Sequence, residues 1–251
     1  MDDKAKIILK LMLEKKHVYL FNSMEEAMKQ IANIFKYKTF LIPDQCYHPS
    51  YRLAESYNEL KTIYGIVDTK DLISKCQNKM LIVNGMASYL AEQSIDVSLE
   101  ICKEKNCIII NDVSGTLTMH SARLGDFAIG SFDKESLLNL GYGAFFASNS
   151  ELNLIENFDK SKLTELYEKF TELDNRVKYL AWLNNKVKTS LKGYELMHKD
   201  RRGINLLVRF DSLMEKRKII KYCDKNQLPY TVSPKYLKSN PNLISIDLVK
   251  K

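Results

Sequence analysis

The sequence predicts an α/β fold, with a large domain on a mostly parallel sheet and a small C-terminal α+β domain. Three patterns carry this. Short apolar runs such as Met80-Leu81-Ile82-Val83 and Cys107-Ile108-Ile109-Ile110 alternate with stretches of helical spacing. One helical face then repeats over residues 160–192, through Leu163, Leu166, Phe170, Leu173, Val177 and Leu180. An apolar run at 204–210, a lysine-rich helical stretch at 212–225 and a last run at 243–249 follow as a smaller βαβ-like unit. The expected division is 1–155 for the large domain, 156–192 for a long connecting helix and 193–251 for the small domain.

Each element has a local reason. Ile7, Ile8, Leu11 and Leu13 make 4–16 an amphipathic helix, and the apolar 18–21 run follows as a strand. Asn22-Ser23 is a plausible N-cap for a helix bearing Met24, Ala27, Met28, Ile31 and Phe35 at helical spacing. Residues 39–42 form a strand stopped by Pro43, a helix is expected over 49–59 and a strand over 62–67. A short helical piece at 71–76, a strand at 80–83 and a helix at 94–105 lead to strands at 107–110, 126–132 and 143–147. The last of these strands follow one another without full helices, and no Gly-x-Gly-x-x-Gly follows the first strand, which argues against a dinucleotide-binding Rossmann domain.

Composition narrows the function classes. No stretch of eighteen apolar residues exists and the N-terminus carries no signal-peptide pattern, so a cytoplasmic protein with no membrane partner is expected. The net charge of +7 is spread among acidic residues, and its one tight group, Lys199-Asp200-Arg201-Arg202, is short, which disfavours nucleic acid and suits phosphorylated small molecules as well. The cysteines at 46, 76, 102, 107 and 223 form no Cys-x-x-Cys pair, and the histidines at 17, 48, 120 and 198 have no zinc spacing. Reduced thiols and no metal follow. Cys46 lies beside His48 only in sequence, which gives no nucleophile–base geometry.

The chemistry-bearing stretch is Asn111-Asp112-Val113-Ser114-Gly115, then Gly125-Asp126-Phe127-Ala128-Ile129-Gly130-Ser131-Phe132, then Gly141-Tyr142-Gly143. An acidic residue ends a buried strand, where ligand-facing groups collect in an open α/β sheet. This order resembles the core of the fold-type I enzymes that use pyridoxal phosphate (PLP), especially the DegT/DnrJ/EryC1/StrS sugar aminotransferases. The resemblance covers about residues 18–150 in order and spacing, and the C-terminal hundred mainly in architecture; the chain is shorter than typical members.

The resemblance implies specific roles. Asp112 matches the Asp of the family's Glu-Asp-Ala-Ala-(Gln/His) motif, which faces the pyridine nitrogen, while Gly115 replaces the Gln/His. The alternative for Asp112 is a cap on the turn after its strand. Asn22 and Ser23 stand where the family has its Ser-Gly-Thr phosphate loop, but Glu25 and Glu26 repel a phosphate, so plain N-capping stays open. In Ile42-Pro43-Asp44-Gln45-Cys46-Tyr47, Tyr47 matches the aromatic that stacks on the cofactor ring, or is an ordinary core or surface tyrosine. Ser131 matches the serine that contacts the cofactor phosphate.

The lysine that carries PLP is missing. Counted from Ser131-Phe132 on one side and Gly141-Tyr142-Gly143 on the other, the Schiff-base position falls on Ser136, with no gap needed. A hydroxyl forms no imine and cannot act as an amine base. Lys134 is the shifted candidate, but two residues along extended chain put its backbone about 7 Å away. The expectation is a degenerate homologue: a binding or partner protein, a homodimer as the resemblance implies, holding PLP or pyridoxamine phosphate without a covalent link, or a nucleotide-sugar or amino-acid ligand. The other expectation is an active PLP- or pyridoxamine-phosphate-dependent aminotransferase or dehydratase-like enzyme working through Lys134.

Overall fold

The computed structural model describes residues 2–45, 49–234 and 242–251. Seven strands form the main sheet: β1 (His17–Phe21), β2 (Phe40–Pro43), β3 (Tyr57–Leu60), β4 (Met80–Asn84), β5 (Ile108–Asp112), β6 (Phe127–Ser131) and β7 (Ala144–Ser148). Their order across the sheet is β3-β2-β4-β5-β6-β7-β1. The pairs from β3 to β6 are parallel, and β7 runs antiparallel to both β6 and β1. Every residue of β2 and of β4 is buried. A parallel sheet covered on both faces requires this, which is why these strands read as unbroken apolar runs.

Alternate residues serve different layers. Ile42, Ile82, Ile110, Ile129 and Phe146 share one core with Met24, Met28 and Ile31 of helix α2 (Met24–Ile34). Ser23 caps that helix, its hydroxyl accepting the Glu26 N–H at 3.2 Å. On the opposite face Leu41, Leu81, Val83 and Ile109 pack with Leu72 of α3 (Thr69–Lys75) and with Ile95 and Cys102 of α4 (Ile95–Glu104). Further along that face Ala128, Phe145 and Ala147 join the core that holds Leu9 and Leu13 of α1 (Asp2–Leu13) and Leu166 and Phe170 of α5 (Leu163–Ser190). Each fully buried Leu, Ile, Met or Phe contributes about 1.5–3 kcal/mol relative to an exposed one.

A second sheet lies C-terminal to α5, with strands β8 (Glu195–Leu196), β9 (Leu206–Arg209), β10 (Tyr230–Val232) and β11 (Leu243–Ile246) in the order β8-β9-β11-β10. All its pairs are antiparallel. Helix α6 (Leu213–Lys225) buries Ile219 and Cys223 in the core that also holds Leu206 and Ile244.

The structure corrects three elements. The helix expected over 49–59 is a 3-10 turn, Pro49–Leu53, followed by β3 at the sheet edge. Three of the four β3 residues are exposed, so its sequence carries no apolar run. The strand expected over 62–67 is a tight ribbon, Thr62–Ile63 against Ile66–Val67, turning through Tyr64 and Gly65 at positive φ. The C-terminal unit is not closed by its last strand: α6 returns the chain to β10, and β11 inserts antiparallel between β9 and β10. That last strand also ends at Ile246, ahead of a 3-10 turn, Leu248–Lys250.

Two contacts lock the small sheet to the large one. The Arg176 guanidinium on α5 donates to the Leu137 carbonyl at 2.8 Å and to the Val249 carbonyl at 2.6 Å. The Ile204 and Asn205 amides both donate to the Tyr89 carbonyl, at 3.0 and 2.9 Å. That second contact needs Gly203, because a Cβ there would fall on the Leu90 carbonyl group. Gly203→Ala is therefore expected to cost about 1–3 kcal/mol, read as a lower urea midpoint.

Candidate functional site

The parallel strands and β1 all end at the same edge of the main sheet, so the chain leaves Asn22, Pro43, Asn84, Asp112 and Ser131 in a row along it. Asn84, Asp112 and Ser131 also share a sheet face, as the period of two from Ile82, Ile110 and Ile129 requires.

Asp112 is the centre of the row. It is 3% exposed, and its carboxylate is answered from several segments. Oδ1 accepts the Ser114 amide at 2.9 Å and the Ser114 hydroxyl at 2.6 Å. Oδ2 accepts the Asn84 side-chain amide at 2.8 Å and the hydroxyl of Tyr51, which is wholly buried. Ser114 Oγ in turn accepts the Ser131 amide at 2.8 Å. Tyr89 hydrogen-bonds to Ser114; burial, reinforced by the Asp112 charge, pushes its phenol well above the usual range. Sequence reasoning missed Tyr51, Asn84 and Tyr89. Gly115, where the resemblance expects a larger residue, was the available signal.

That glycine is filled from outside. A Cβ on Gly115 would lie 3.0 Å from both Met86 Cβ and Tyr89 Cδ1. The hairpin bearing them, Met86–Ala87 against Ala91–Glu92, turns through Ser88 and Tyr89, both at positive φ. Non-glycine residues adopt this conformation at a cost that surrounding contacts must repay.

Ser136 is fully buried, and its hydroxyl is used locally. It donates to the Asp133 carbonyl at 2.7 Å and accepts the Asn139 amide at 3.3 Å, closing a turn. The Ser131 hydroxyl likewise accepts the Asp133 amide at 3.0 Å. Lys134 is exposed, with its stem beside Gly141. At the far end of the row, Asn22 Oδ1 accepts the Tyr142 hydroxyl and the Asp159 amide, and Ser23 caps α2. Tyr47, with Cys46 and His48, lies outside the described residues.

Other candidate chemistry lies elsewhere. Cys76, Cys102, Cys107 and Cys223 are buried free thiols, and among the described residues no cluster of His, Cys, Asp and Glu could hold a metal. No helix is long and apolar enough to cross a membrane, among the residues described. The basic group at 199–202 borders a groove of about 790 Å³ lined by Lys188, Lys192, His198, Lys199, Glu195 and Asp200. Burial lowers the pKa of His198, with Arg201 acting in the same direction.

A sheet of order 3-2-4-5-6-7-1 with its seventh strand reversed, a long helix and a small antiparallel sheet is the architecture of fold-type I PLP enzymes. Solved structures agree. An aminotransferase of the DegT/DnrJ/EryC1/StrS type from Brucella abortus matches over 98% of this chain and 84% of its own, with a TM-score of 0.75 and 11% identity. A Streptococcus pneumoniae protein described as a sugar aminotransferase, in its pyridoxamine-phosphate form, matches over 98% and 86%, with a TM-score of 0.75 and 11% identity. Serine palmitoyltransferase of Sphingomonas wittichii matches over 97% and 69%, with a TM-score of 0.73 and 13% identity. At these identities the likeness is one of fold. No family model and no curated protein sequence matches the chain.

The residues present do not fit covalently held PLP. An aldimine needs an amine, and at the position the resemblance gives to it the chain has the buried Ser136 hydroxyl. The carboxylate expected to face the pyridine nitrogen already accepts four hydrogen bonds, about its full capacity.

Two outcomes follow. Tyr51→Phe removes one donor from a buried carboxylate and is expected to cost about 1–3 kcal/mol in chemical unfolding. His198 is held neutral in the fold below the pH at which it protonates in the unfolded chain. The unfolded state therefore binds more protons as pH falls below about 6.5, and stability declines until the lowered folded pKa is passed. His198→Asn, which tolerates the positive φ of 53° there, is expected to flatten that part of the stability–pH curve.

Proposed function

We propose that this chain is a catalytically degenerate relative of the nucleotide-sugar aminotransferases, acting as a binding or partner protein. The observation that carries this is Ser136, buried and bonded within its own turn at the position the resemblance assigns to the Schiff-base lysine. The saturated Asp112 carboxylate supports it further. On this reading Ser131, Asn22, Ser23 and Tyr47 are remnants of the cofactor-side set, and PLP or pyridoxamine phosphate would be held, if at all, without a covalent link. The partner is a second copy of the chain, the ligand class a nucleotide sugar or an amino acid, and the setting cytoplasmic. The expected division at 155 and 192 would put the small domain beside this edge.

One observation favours a second reading. Lys134 is exposed two residues from Ser136, with its stem beside Gly141. An active aminotransferase or dehydratase-like enzyme would then form its imine through Lys134. A misplacement of about 1 Å can cost a hundredfold in such chemistry, which weighs against it.

Borohydride reduction of the protein with PLP, followed by peptide mapping, separates the two. The expected outcome is no reduced adduct on the peptide containing Lys134. A stoichiometric adduct there, abolished by Lys134→Ala, establishes the second reading.

A further inference from the structure

The Asp112 network contains a residue that nothing in the aminotransferase resemblance assigns. Tyr51 lies on the Pro49–Leu53 turn, which packs against α2, and its ring is wholly buried in the core shared with Met24 and Met28. From there its hydroxyl donates to Asp112 Oδ2. We propose that Tyr51 is the internal ligand of Asp112 and the residue that sets this site against a pyridinium-type cofactor. The inference rests on the lysine-less reading above and extends it from covalent attachment to binding itself.

Two independent observations lead there. The first is hydrogen-bond capacity. Tyr51 and Asn84 share Oδ2, while the Ser114 amide and hydroxyl share Oδ1. A pyridinium N–H would have to displace one of these donors. Ser114 is tied into the ladder through the Ser131 amide, and Asn84 ends β4 beside Asp112 in register. Tyr51 reaches the carboxylate from the separate Pro49–Leu53 turn, so it is the donor that an incoming ring would have to move.

The second observation is space. At Gly115, Met86 and Tyr89 stand where a larger side chain would project. The chain's own groups thus occupy two places here: an aromatic hydroxyl on the carboxylate, and Met86 with the Tyr89 ring against Gly115. The chemistry is also balanced without a ligand. A pyridinium would bring a positive charge to the carboxylate; here four dipolar donors supply the compensation instead.

The test is a titration of the intact protein with pyridoxamine phosphate, which forms no imine, followed by calorimetry and absorbance. The expected result is no saturable binding to the natural chain. In Tyr51→Ala the vacated, carboxylate-ended space is expected to admit 4-methylphenol, the tyrosine side-chain analogue, raising the melting temperature of the variant and leaving the natural chain unchanged. Pyridoxamine phosphate is expected to bind the variant at least tenfold more tightly than the natural chain. Should Tyr51→Ala not fold, Tyr51→Phe serves, because it keeps the ring and removes one of the two donors on Oδ2, and the same tenfold gain is expected. Saturable binding of pyridoxamine phosphate to the natural chain, lost in Asp112→Asn, overturns the inference. Equal affinity in the natural chain and both variants overturns it too. Neither result touches the lysine-less reading, which fails only on a reduced adduct at Lys134.

Discussion

A carboxylate taken out of water at the end of a central strand must be met by donors, or the fold bears a cost of several kcal/mol. Asp112 is 3% exposed, and the chain meets it from the 3-10 turn after β2, from the end of β4 and from the loop after β5. Through Ser114 Oγ the network reaches the end of β6. The hydrogen bonds that solvate one charge therefore also pin together the loops leaving three neighbouring strands. Removing the carboxylate would leave several buried donors unanswered, so this edge holds its shape as a unit.

The small sheet depends on the same edge. The Tyr89 ring packs beside Gly115 and hydrogen-bonds to Ser114, while its carbonyl accepts the amides of Ile204 and Asn205. One residue in an unfavourable backbone conformation thus joins the Asp112 network to the C-terminal strands. The Leu137 carbonyl, one residue past Ser136, is held by Arg176, which also holds Val249. The turn closed by Ser136 thus serves as a structural joint.

What the sequence made legible was whatever depends on runs and counting. Buried parallel strands need apolar residues at every position, so β4 and β5 stood out, and Asp112 could be placed at a strand end. The strand β3 could not be seen, because an edge strand exposed on both faces reads as polar: Tyr57, Asn58 and Glu59 are all exposed. The strand β10 is three residues long with none fully buried, and only its pairing with β11 defines it. In the site, Tyr51 was hidden for a different reason. Its partner is 61 positions away, and a tyrosine in a stretch of helical composition gives no sign that it will meet a carboxylate. Gly115 gave half a signal: a missing side chain says that something else fills the space, without saying what.

On the proposed reading, the serine at position 136 and the presence of Tyr51 are two sides of one electrostatic requirement. A site built to hold a cationic ring can leave its carboxylate short of donors, because the ligand completes the set. On that reading, a chain with serine at position 136 gains nothing from an unsatisfied carboxylate, and would carry its cost in every molecule that lacks the ligand. Neutral donors supplied by the chain remove that cost at once. Asn84 and Ser114 alone supply three bonds, and the Tyr51 hydroxyl supplies the fourth. Gly115 fits the same proposal: a side chain there would compete with Met86 and Tyr89 for space. The fold keeps its carboxylate, then, as a cross-link between strand ends.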